Sequence, residues 1–73
     1  MKVVLDGRLY RLGAVREAAR EFAGLASIRV QTGKGRISVT VEDIDPDMGP
    51  ALVDEFLNFA LAGTISQATA ARG

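Results

Sequence analysis

Histidine, cysteine and tryptophan are all missing from this 73-residue chain. Without histidine and cysteine, the commonest general base and the strongest thiol nucleophile are unavailable. The same gap removes disulfides and the Cys/His sets of structural zinc, two of the usual ways to stabilise a small domain. A core of this size supplies only roughly 3–5 kcal/mol by itself, which leaves oligomerisation or a bound partner as the remaining common support. An excess of charge of one sign is missing too: nine Lys and Arg balance nine Asp and Glu. A chain built chiefly to grip phosphate backbones carries a basic surplus. No apolar run reaches the length of a signal peptide core or a membrane span, so the expected setting is soluble and cytoplasmic, with no membrane contact.

Glycine and proline, three Phe and one Tyr punctuate what remains. In residues 1–10, Asp6-Gly7 reads as a two-residue hairpin turn. That turn sets Leu5 against Arg8, Val4 against Leu9 and Val3 against Tyr10, with Val3, Leu5 and Tyr10 on the core face. Residues 13–22 form an amphipathic helix: Val15, Ala18, Ala19 and Phe22 follow the i, i+3, i+4, i+7 spacing, and Gly24 is placed to end it in a left-handed cap. Residues 27–32 and 36–41 alternate with period two. With Lys34-Gly35 as the turn, Val30 meets Val39, Ile28 meets Val41 and Thr32 meets Ile37, while Arg29, Gln31 and Ser27 face Thr40, Ser38 and Glu42. A slip of one residue would scatter the β-branched side chains over both faces.

Pro46, Gly49 and Pro50 form a connection. A second helix then starts between Asp47 and Pro50 and runs to about Ala62, with Gly63 ending or kinking it. The predicted fold is α+β, ββαββα: a two-layer sandwich whose antiparallel sheet carries both helices on one face. Residues 1–63 make a single domain and residues 64–73 a flexible tail.

Candidate chemistry is thin. Glu17 with Glu21, and Asp54 with Glu55, are carboxylate pairs on exposed helix faces, where solvation is their ordinary role. Asp43, Asp45 and Asp47 alternate as in a calcium loop, yet Met48 and Asp54 stand where that loop needs Gly and Glu, so helix capping explains them better. Gly33-Lys34-Gly35 joins two strands rather than a strand and a helix, which is the wrong setting for a phosphate loop. The alternative function is a small nucleic-acid-binding domain using Arg8, Arg11, Arg29, Lys34 and Arg36. It lacks exposed aromatic rings for base stacking and has no GxxG loop. No catalytic residue, metal or cofactor is called for.

The second helix is the informative element. Residues about 100° apart put Leu52, Val53, Phe56, Leu57 and Ala60 on one broad stripe. Asp54 and Asn58 lie opposite, and Phe59, Leu61 and Ile65 fall on the flanks or the polar side. Apolar surface beyond one core-facing stripe marks an interaction site, so Phe59, Leu61 and Ile65 are the expected interface of a homodimer or another protein partner. An uncharged stretch midway along residues 37–41 further favours addition of an extended peptide to a strand edge.

Leu9-Tyr10-Arg11-Leu12, the alanine-rich helix, the hairpin over residues 28–41 and Glu55-Phe56-Leu57-Asn58 together resemble the HxsD-like proteins. The resemblance covers residues 5–69, and the Glu55, Phe56, Leu57, Asn58 stretch is its most specific part. It implies a small accessory protein encoded beside radical-SAM enzymes in His-Xaa-Ser peptide-maturation systems. Such a protein would hold a precursor peptide for its maturase and carry no catalytic residue of its own.

Overall fold

The computed structural model describes the backbone of residues 1–72, with side chains as far as Ser66. Five elements follow in the order β1 (Lys2–Asp6), α1 (Leu12–Glu21), β2 (Ser27–Gly33), β3 (Arg36–Glu42) and α2 (Ala51–Arg72). The three strands form one antiparallel sheet in the order β1-β3-β2, and both helices cover one of its faces. Alternation along the strands turns Leu5, Ile37, Val39 and Val41 inward to meet Val15 and Ala18 of α1 and Leu52, Phe56 and Ala60 of α2. The two-layer α+β architecture therefore matches the expectation, with one strand fewer.

The missing strand is the second arm of the expected first hairpin. β1 pairs instead with β3, placing Val3 opposite Val39 and Leu5 opposite Ile37. Pairing with a central apolar strand buries more apolar surface than pairing with Arg8, Leu9 and Tyr10 would. Asp6 still makes a turn, of another kind. Its Oδ1 accepts the Arg8 N–H at 2.8 Å, and its carbonyl accepts the N–H groups of Leu9 at 3.0 Å and Tyr10 at 3.1 Å. That turn steers the chain into α1. Gly7 is required for space rather than for a left-handed φ: its N–H donates to the Gly35 carbonyl at 2.8 Å, and a Cβ there would lie 2.6 Å from the same oxygen. Val3, Leu5 and Tyr10 all pack toward the core, as the face assignment required.

The β2–β3 register agrees pair for pair with the sequence reading, from Ser27 opposite Glu42 to Thr32 opposite Ile37. Lys34 (φ 52°) and Gly35 (φ 75°) both occupy the left-handed region that a two-residue hairpin turn of matching twist demands. Gly24 is not left-handed. α1 ends by unwinding through ordinary turns, in which the Phe22 carbonyl accepts the N–H groups of Leu25 at 2.9 Å and Ala26 at 3.2 Å.

α2 begins at Ala51, one residue past the expected window of Asp47 to Pro50, and it does not stop near Ala62. It continues through Gly63 to Arg72, so residues 64–72 extend the helix. Gly63 serves close packing rather than termination: α1 crosses here, and a Cβ on Gly63 would sit 3.1 Å from the Ala14 Cβ. Thr64 ties the two helices together. Its hydroxyl donates to the Ala60 carbonyl at 2.9 Å and accepts the Arg11 N–H at 3.0 Å. Arg11 occupies the N-cap of α1, where its own side chain makes no capping bond.

Candidate interaction surface

α2 presents three kinds of surface. Leu52, Phe56 and Ala60 are buried against the sheet and α1. Val53 and Leu57 lie half-buried along one margin. Phe59, Leu61 and Ile65 remain 39%, 42% and 60% exposed. The surplus apolar surface expected of this helix is therefore real, although its three residues do not form one patch.

Phe59 belongs to the α1 side. The Phe22 ring meets Phe56 edge-on at 5.8 Å and Phe59 edge-on at 5.9 Å, both at 77°. Such edge-to-face pairs bind one ring's positive rim to the other's negative face. Phe22 thus anchors a short aromatic row that fastens the end of α1 to α2. Leu61 and Ile65 lie elsewhere: at about 100° per residue, Leu61 sits roughly 160° around the helix from Phe59. Leu57, Leu61 and Ile65 follow at intervals of four and make a slanting outer stripe. Of the motif positions, Phe56 enters the core and Leu57 its margin, while Glu55 and Asn58 are exposed.

The other candidates separate clearly. Glu17, Glu21, Asp54 and Glu55 are exposed on helix surfaces. Among Asp43, Asp45 and Asp47, Asp45 shapes the loop: its Oδ1 accepts the Asp47 N–H at 2.9 Å and its own N–H donates to the Leu25 carbonyl at 2.7 Å. It caps the turn before α2 rather than the helix itself. Among the described residues, no group of three potential ligands is placed to hold a metal.

Arg8, Lys34 and Arg36 gather with Val4, Leu5, Asp6 and Gly35 around a depression of about 490 Å³ at the hairpin end of the sheet. Arg8 binds Asp6 through both its Nε (3.2 Å) and one terminal nitrogen (3.0 Å). The Arg8 side-chain hydrogen bond, with help from its backbone N–H, holds the Asp6 carboxyl below its ordinary pKa, while Asp6 raises that of Arg8. Both groups are on the surface, so the pair adds little to folding. Arg29 stands apart on the outer sheet face, opposite Thr40.

Two features escaped the sequence reading. One is the identity of the sheet edges: β3, with its uncharged stretch, is the central strand and has both edges occupied, so the free edges are β1 and β2. The other is charge segregation under a net charge of zero. Eight of the nine cations lie within the first 36 residues, and six of the nine acids follow them. Counting charge by halves instead of in total would have revealed it. The fold turns this asymmetry into two ends, with Arg8, Lys34 and Arg36 at the hairpin turn and Asp43 and Asp45 beside the start of β2.

No family model matches this chain, and neither a curated protein nor a solved structure is significantly similar to it.

Proposed function

We propose that this chain is a non-enzymatic adaptor that works as a homodimer and docks a protein partner on the outer stripe of α2. The observation that carries this reading is Leu61, 42% exposed on the outer side of a helix whose core-facing side is already fully used. Leucine in such a position, flanked by half-buried Leu57, offers a partner apolar area at little ordering cost. The resemblance to HxsD-like proteins specifies the partner: a radical-SAM maturase, with a precursor peptide held between the two in the cytoplasm. Clustering of Arg8, Lys34 and Arg36 gives little support to nucleic-acid binding. Arg8 is engaged by Asp6, and Tyr10, Phe22 and Phe56 are packed with the core, where they cannot stack on bases.

The test begins with the genes beside this one, among which a radical-SAM maturase is expected. Titration calorimetry of that enzyme with the wild-type chain should then give binding that Leu61→Asp weakens by at least about tenfold, the effect of losing one apolar anchor. Leu61 lies outside the core, so the variant's melting midpoint should stay close to wild type. Equal binding by both chains would remove the α2 surface from the reading. Absence of a neighbouring maturase gene would remove the family assignment.

A further inference from the structure

Hydrogen bonding across the sheet alternates, and the alternation identifies which edge groups are open. Met1 exchanges both bonds with Val41, its ammonium donating at 2.6 Å and its carbonyl accepting at 2.7 Å, and Gly7 bonds Gly35. Odd-numbered residues of β1 therefore face β3, and Lys2, Val4 and Asp6 turn their N–H and C=O groups outward. The Asp6 carbonyl is already taken by Leu9 and Tyr10, so the turn after β1 closes that end of its edge. Among the described residues, Lys2, Val4 and the Asp6 N–H remain open there.

β2 is different. Its two-residue turn makes Gly33 and Arg36 a hydrogen-bonded pair, so Ser27, Arg29, Gln31 and Gly33 face β3. Ile28, Val30 and Thr32 point six backbone groups away from the sheet, and no hydrogen bond among the described residues takes them. This edge is seven residues long and carries no proline. Its single charge, Arg29, projects onto the outer face. Natural proteins usually guard such an edge.

We infer that β2 pairs antiparallel with β2 of a second copy of this chain, across a two-fold axis through Val30, joining the two sheets into one of six strands. In that register Val30 faces Val30 of the second copy, and Ile28 faces its Thr32 in both directions. All six outward groups are then satisfied by six mutual hydrogen bonds. Sliding the strands by two residues leaves only four. On the helix side, the half-buried Ile28 and Val30 cover one another; on the outer face, Arg29 meets an uncharged Gln31.

Charge selects a second copy over any other extended chain. One residue beyond β2 in this register, Lys34 of one copy falls opposite Ala26 of the other. Asp43 and Asp45 line a depression there with Leu25, Ala26 and Ile28. The two-fold axis repeats this contact, so each basic turn meets an acidic loop at both ends of the joint. A segregated charge with zero net excess, inert in a monomer, becomes complementary in this dimer.

This inference takes from the proposed function only that the chain acts as a dimer, and it puts the contact on the sheet edge and not on α2. Sedimentation of the full chain from low micromolar to millimolar concentration should show a monomer–dimer equilibrium that weakens with added salt. Amide exchange at Ile28, Val30 and Thr32 should slow at least tenfold across that range, while Lys2 and Val4 keep their monomer rates. Val30→Pro removes one outward donor without touching the β2–β3 ladder, and should leave a monomer. Should that variant fail to fold, Lys34→Asp retains a favourable left-handed turn residue and should still raise the dimer dissociation constant about tenfold at low salt. Leu61→Asp should remain dimeric, which separates this contact from the α2 surface. A monomer at all concentrations overturns the inference, as does a dimer that leaves the Ile28, Val30 and Thr32 amides unprotected or that Leu61→Asp dissociates.

Discussion

Gly63 offers the sharpest test of how the two helices meet. In an exposed helix, replacing glycine by alanine stabilises by about 0.8–1.0 kcal/mol, because alanine loses less backbone entropy on folding. Here the added methyl would stand 3.1 Å from the Cβ of Ala14, itself buried in α1. Forcing one more methyl into a packed contact costs roughly 1–3 kcal/mol. Gly63→Ala should therefore be neutral to destabilising, by up to about 2 kcal/mol, despite its better propensity. Ala14→Gly removes the atom that the new methyl meets. In that background Gly63→Ala should regain most of its helical advantage and stabilise by nearly 1 kcal/mol. The four proteins make a double-mutant cycle with an expected coupling of about 1–3 kcal/mol. Urea unfolding followed by circular dichroism would read it directly, and thermal midpoints should move by roughly 4–8 °C per kcal/mol for a domain of this size. If Gly63→Ala stabilised both backgrounds equally, the close approach of α1 and α2 at this point would be refuted.

Two further predictions follow from the same junction and from the turn after β1. Thr64→Val keeps the side-chain shape but removes the hydroxyl that accepts the Arg11 N–H, and should lower stability by about 0.5–1.5 kcal/mol, whereas Thr64→Ser should retain most of it; equal unfolding curves for Val and Ser would show that the contact contributes nothing. Asp6, held below the ordinary aspartate pKa by the Arg8 side-chain hydrogen bond, gives a stabilising effect that is present above that ordinary pKa and fades as pH falls through the lower folded one. Its carboxyl resonance should titrate below the ordinary Asp range and return toward it in Arg8→Ala, an outcome that NMR titration can confirm or refute.

The β2–β3 hairpin was legible because every determinant is local. Period-two alternation, β-branched residues and a Lys-Gly turn lie within sixteen residues, and their register has only one solution that keeps Ile37, Val39 and Val41 on one face. The core stripe of α2 was legible for a similar reason, since Leu52, Phe56 and Ala60 repeat every four residues. Its surplus was legible too, but its division was not: Phe59 is claimed by the ring of Phe22, thirty-seven residues away in the chain, and no helical projection of α2 alone contains that partner.

Composition and local pattern by themselves determined that this chain folds as a small α+β unit without thiol or imidazole chemistry, with a fixed hairpin and an over-apolar helix. They act through propensities and periodicities that each segment carries alone. Tertiary structure alone decided that β1 joins β3, that β2 is left as the long open edge, and that Gly63 admits Ala14 instead of ending a helix. Those outcomes depend on which distant surfaces bury the most apolar area together, a competition among whole elements to which neighbouring residues contribute no signal.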